Sequence, residues 1–123
     1  MTLAWSARAC ALLLGLAACT GDPDGGGADA VCDGQPVTTW DNFGSSFLTE
    51  NCDICHAAST ANRFGAPEDV HFDTVDEVRE RVDRILPVAT GDVPSMPPEG
   101  GVDEDDRKRF EVWLLCWIDQ EGG

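Results

Sequence analysis

The chain is poor in positive charge. Eight lysines and arginines face 23 aspartates and glutamates across 123 residues, a formal net charge of −15. No basic stretch with interleaved aromatics occurs, so nucleic acid is excluded as a natural partner. Strand signals are missing too. No segment alternates apolar and polar residues over a sustained run, and no two-residue turn joins two β-rich stretches. There is no internal repeat. Only two histidines occur, and there is no second Cys-x-x-Cys pair, which leaves few ligands for a zinc site. The length allows one domain. A domain this small has a modest core and often relies on a covalent staple, a metal or a cofactor. The acidic surface serves either plain solubility or steered encounter with a basic partner.

What is present begins with an export pattern. Arg8 precedes an apolar run from Ala9 to Ala18, rich in leucine and ending in small residues. The run is too short to span a bilayer as a mature helix. Leu16-Ala17-Ala18-Cys19 resembles the bacterial lipobox. The resemblance implies cleavage before Cys19 and acylation of that residue; the rival is an ordinary signal peptide with Cys19 incidental. Residues 1–18 are therefore expected to be a lipoprotein signal peptide. Acyl chains on Cys19 would hold the protein on a bacterial membrane, with its domain in the periplasm or at the cell surface. Residues 19–30, mostly Gly, Asp and Ala, read as a flexible acidic tether. The folded domain is expected over 31–123.

Three helical segments stand out, and the fold class is all-α. The first covers about Trp40 to Asn51, with Phe43, Phe47 and Leu48 at helical spacing and Thr39 or Asp41 as its cap. The second covers about Val75 to Leu86. Thr74 and Glu77 form a capping box, Val75, Val78, Val82, Ile85 and Leu86 make the apolar stripe, and Pro87 helps end it. The third covers about Glu104 to Gln120, capped by Asp103 and followed by Gly122. Phe110, Trp113, Leu114, Trp117 and Ile118 give it a broad apolar face. Residues 57–73 and 87–102 read as long loops. Loops of that length in a small helical domain usually have a task, and wrapping a flat cofactor is one.

Cys52-Asp53-Ile54-Cys55-His56 is the sharpest signal. Two thiols separated by two residues can add across the two vinyl groups of a haem, and the adjoining histidine can then supply an axial nitrogen to the iron. Export agrees, because covalent haem attachment takes place outside the bacterial cytoplasm. The pair also suits a thioredoxin-like redox site, but the βαβ context is missing. Half a zinc site and a structural disulfide are further readings. The cofactor expected is one covalent haem c.

Residues 40 to 121 as a whole resemble a class I monohaem cytochrome c. The matching parts are the first helix, the Cys52–His56 motif after it, Val93-Pro94-Ser95-Met96-Pro97-Pro98, and the last helix with Trp113-Leu114-Leu115-Cys116-Trp117-Ile118. The resemblance implies that the first and last helices cross near the haem. Gly44 would permit close approach, with Phe47 or Leu48 meeting Phe110, Trp113 or Trp117. It also implies Met96 as the sixth ligand. Met96 is the only methionine after the signal peptide, it lies between prolines that stiffen its loop, and a thioether favours ferrous iron. His71 is the rival ligand, and a gap-filling role the bland alternative for Met96. By analogy the His56 ring N–H should find a backbone carbonyl, from Pro67 or a neighbour in the 62–70 loop. Arg63 or Trp113 would reach a haem propionate, or each is an ordinary surface or core residue.

Two cysteines then remain, Cys32 and Cys116. In an exported protein they suggest a disulfide, with two free thiols as the alternative. On a helical projection Cys116 falls off the main apolar face, beside Val112 and Leu115. The segment from Cys32 through Val37 to Trp40 is expected to cover that strip. The function implied is electron transfer by a membrane-tethered carrier that is not itself an enzyme. Redox proteins, with a basic docking surface, would be its partners. A haem enzyme or sensor with an open iron position, and a haem-free interaction lipoprotein, are the alternatives.

Overall fold

A computed structural model describes residues 27–122, and these are helical, with no strand among them. The signal peptide, Cys19 and residues 19–26 of the expected tether lie outside the described residues. The first helix, α1, spans Gly27–Cys32. The expected tether therefore gives way to helix four residues before 31.

The first long helical segment opens with a π-helical turn, Trp40–Gly44, and continues as α2, Ser45–Asn51. Thr39 rather than Asp41 caps it. The Thr39 hydroxyl accepts from the Asn42 N–H at 3.1 Å, and the Asn42 side-chain oxygen accepts from the Thr39 N–H at 2.8 Å. A single further turn, α3, spans Asp53–His56.

The second expected helix is two helices, α4 over Val75–Arg79 and α5 over Val82–Ala89. Thr74 and Glu77 form the capping box. The helix breaks at Glu80 and Arg81, where no glycine or proline stands. There the Arg81 N–H bonds three residues back, to Val78. The Arg81 guanidinium donates to the Asp69 carbonyl in the preceding loop. Pro87 lies inside the last turn of α5, which runs on to Ala89. Its missing N–H leaves the Asp83 carbonyl without a helical donor, and the helix ends two residues later. Val78 and Ile85 are buried; Val75, Val82 and Leu86 are partly so.

The last helical segment begins with α6, Glu104–Val112, whose cap Asp103 accepts from the Asp105 and Asp106 N–H groups. A π-helical turn, Trp113–Trp117, and a 3₁₀ turn, Ile118–Gln120, complete it. Phe110, Trp113, Leu114 and Ile118 are buried. Phe47 stacks on Phe110 with ring centroids 4.3 Å apart. A Cβ on Gly44 would stand 2.8 Å from two ring carbons of Trp113, so the two segments meet only because residue 44 has no side chain. Glu121 closes the packing. Its carboxylate accepts from the Trp40 N–H at 2.5 Å and the Trp113 indole N–H at 2.7 Å, and its carbonyl accepts from Arg79.

Cys32 and Cys116 form a disulfide across 84 residues, fastening α1 to the Trp113–Trp117 turn. Val112 on the second strip is buried, but Val37 is 61% exposed and does not cover it. Leu115, on the same strip, is 36% exposed, and α1 meets the strip at Cys116 through the disulfide.

The Cys52–His56 candidate site

Cys52 is the hinge between α2 and α3, with φ −122° and ψ −38°. Its N–H ends α2 on the Leu48 carbonyl, and its carbonyl starts α3 by accepting from Cys55 at 3.1 Å and His56 at 3.0 Å. One helical turn therefore places residues 52, 55 and 56 on one face, as spacings of three and four do. Asp53 steadies that turn by accepting from the Thr49 hydroxyl at 3.3 Å. Ile54, on the other side, is 69% exposed.

Cys52 and Cys55 are half-buried and unpaired thiols. Cys52 packs against the core. Burial pushes its pKa from an ordinary 9.0 up to about 12; the Asp53 charge adds to the rise and the Arg107 charge opposes it. Burial also raises the Asp53 carboxyl, against the Thr49 hydrogen bond. A thiolate is the reactive form of cysteine. In the folded, haem-free chain, Cys52 is thus expected to resist iodoacetamide at pH of about 8 and to react fully in denaturant. Rapid native alkylation of Cys52 would contradict this. Unfolding returns the thiol to its ordinary pKa. This group therefore costs no stability below pH 9.0, and erodes it as pH climbs toward about 12.

His56 is oriented from the following loop. Its Nδ1 lies 3.2 Å from the Val70 carbonyl. A carbonyl only accepts, so Nδ1 donates, and in the neutral ring Nε2 then keeps its lone pair. The Phe72 ring lies 4.8 Å from the imidazole, and the Phe72 N–H donates to the His56 carbonyl at 3.1 Å. Arg63 ties the loop together. It donates to the Ala57 and Pro67 carbonyls at 2.9 Å and to the Val70 carbonyl at 2.6 Å. Val70 is thus the carbonyl expected near Pro67, and Pro67 serves Arg63.

Met96 lies on the other long loop, 40% exposed. Its N–H and that of Ser95 donate to the Val88 carbonyl at 2.8 Å, and its own carbonyl accepts from Arg107 at 2.9 Å. The Arg107 charge also opposes the rise of the Cys52 pKa. His71 sits with Nδ1 3.9 Å from a Glu77 carboxylate oxygen, an ordinary partly exposed pairing. Trp113 is fully buried and its N–H is taken by Glu121. The roles of Arg107 and Glu121 had no signal in the sequence, because each depends on contacts with residues distant along the chain.

The two thiols and the imidazole on one turn have the chemistry that covalent haem requires, while the thioether of Met96 lies on the separate 90–102 loop. Arg63 Nε, Arg81 Nε and Trp117 Nε1 are buried donors, and Asp53 Oδ1 a buried acceptor, without a protein partner; of these Arg63 and Asp53 adjoin the motif. Among the described residues no three His, Cys, Asp or Glu side chains converge as metal ligands. No family model, curated protein or solved structure matches the chain.

Proposed function

We propose that this chain is a membrane-tethered c-type cytochrome that transfers electrons through one haem held by Cys52 and Cys55, with His56 and Met96 as axial ligands. The observation that carries the reading is the Cys52–His56 turn. Both thiols are unpaired and share a helical face with an imidazole whose Nδ1 is fixed on the Val70 carbonyl. Bound haem would supply a one-electron ferric–ferrous couple. The chain's own residues do the rest. Cys52 and Cys55 form the thioethers. Val70 and Arg63 hold His56 in one orientation, and the Nδ1 hydrogen bond raises its basicity as a ligand. The loop bearing Met96 presents a soft sulfur that favours the ferrous state.

The fold proposed is that of a small class I cytochrome c. The close Gly44–Trp113 approach and the Phe47–Phe110 stack support it, as a crossing of the first and last helical segments. We also propose residues 1–18 as a lipoprotein signal and Cys19 as the acylated anchor. The carrier would then stay close to membrane-bound redox proteins. The two loops expose Glu68, Asp69, Asp73, Asp92 and Glu99, while their one basic residue, Arg63, is engaged with carbonyls. A partner with a basic docking face suits that surface, through a small and transient interface.

The test is an absorption spectrum of the exported chain made with cytochrome c maturation machinery. The wild type is expected to show a low-spin haem with a sulfur-to-ferric-iron charge-transfer band in the far red. Met96→Ala is expected to keep the haem and lose that band. A band that survives Met96→Ala would exclude Met96 as its source, and a wild-type haem protein without the band would favour an open or His71-bound iron.

A further inference from the structure

The last turn of α5 ends with carbonyls that have no helical donor, as every helix does. Here they are used to build a loop. The Leu86 carbonyl takes the Thr90 N–H at 3.1 Å and the Thr90 hydroxyl at 2.6 Å. Val88 takes the N–H groups of Ser95 and Met96, both at 2.8 Å. Gly91, with φ +77°, lets the chain reverse between them. The Ala89 carbonyl accepts from Arg107 Nη1 at 2.5 Å. The same Nη1 donates to the Met96 carbonyl at 2.9 Å. The first and last residues of the loop are therefore joined by one guanidinium, which is half-buried on α6.

We infer that Arg107 is a positioning residue for Met96: by bridging the Ala89 and Met96 carbonyls it closes the 90–95 loop and sets how firmly the thioether is presented. The inference rests on the proposed His56 and Met96 ligation. Met96 is held at both main-chain polar atoms, by Val88 on one side and Arg107 on the other. Met96 itself is 40% exposed. Hydrogen bonds from a charged donor are the strong ones, so Arg107 is the larger restraint on the carbonyl side. Without it the loop samples more conformations, the sulfur spends less time on the iron, and an outside ligand competes better.

The test uses haem-loaded protein and imidazole as the competing ligand. Bleaching of the far-red band gives the apparent Kd. Arg107→Gln is expected to bind imidazole about tenfold more tightly than wild type. Arg107→Lys keeps the charge but spans both carbonyls poorly, and should fall between. Arg109→Gln removes a charge from the same helix, over the Phe43 ring, and should match wild type. Loaded Arg107→Gln with wild-type affinity would overturn the inference while leaving the Met96 ligation intact. If that variant does not accumulate, Arg107→Lys is decisive, and wild-type affinity there overturns it equally. A wild-type protein that binds haem but has no far-red band would overturn the ligation and the inference together.

Discussion

Changing Cys52 and Cys55 together to alanine is expected to leave the exported chain without covalent haem. Both thioethers depend on sulfurs that lie on one turn, set by the Cys52 carbonyl accepting from Cys55 and His56. No described cysteine can replace them, because Cys32 and Cys116 are joined to each other. The unloaded variant should still fold. Its core of Phe47, Leu48, Val78, Phe110, Trp113 and Ile118 does not include the two sulfurs, although Cys52 packs against it. Each of these large side chains contributes on the order of 1.5–3 kcal/mol by burial. Single variants separate the two bonds, since either remaining sulfur can form one thioether. Haem retained after denaturation, read by in-gel peroxidase staining and intact mass, should be absent only in the double variant. Covalent haem in the double variant would place the attachment elsewhere.

Removing the disulfide should have the largest effect on stability. Cys32 and Cys116 are 84 residues apart. In the chain-entropy treatment a loop of that size is worth about 4–5 kcal/mol. A small domain has about 5–15 kcal/mol in total, so this is a large share. Cys32→Ala with Cys116→Ala is expected to lower Tm by on the order of 20 °C. The loss should begin at α1, which has six residues and reaches the rest of the fold through the Trp113–Trp117 turn. Calorimetry of the double variant measures it. A Tm within a few degrees of wild type would show that α1 adds little to the fold.

The sequence was most legible where local chemistry decides structure. The capping box of Thr74 and Glu77 and the Asp103 cap are set within four residues, and both are present. The Gly44 approach to Trp113, far along the chain, was expected only from the family resemblance, and it is present. The Cys52, Cys55 and His56 motif was legible from its spacing, but the helical turn that carries it was not, since the first helix was expected to end near Asn51. The break at Glu80 and Arg81 was not legible. Its local sequence favours helix, and the competing contact is a hydrogen bond from Arg81 to Asp69, twelve residues away. Helix α1 was hidden because Gly27, Ala28, Asp29 and Ala30 carry no apolar stripe, and its partner lies 84 residues on. Arg107 carries no local signal of its role, since it lies in the first turn of a helix rich in charged residues. Only the fold brings Ala89 and Met96 to it.

The same distinction applies to the site. The attachment residues are contiguous, so a five-residue stretch suffices to read them. The supports of His56 and Met96 come from Val70, Arg63, Val88 and Arg107, spread over two loops and two helices. Their effects fall on ligand orientation and exchange rather than on attachment.

The central claim is covalent attachment through Cys52 and Cys55. It is tested most directly by the intact mass of the wild-type chain, produced with haem-attachment machinery and denatured before measurement. The account predicts a mass higher by one haem, with the increment on the peptide that holds residues 52–56. A wild-type chain from competent cells with no haem on that peptide would contradict it.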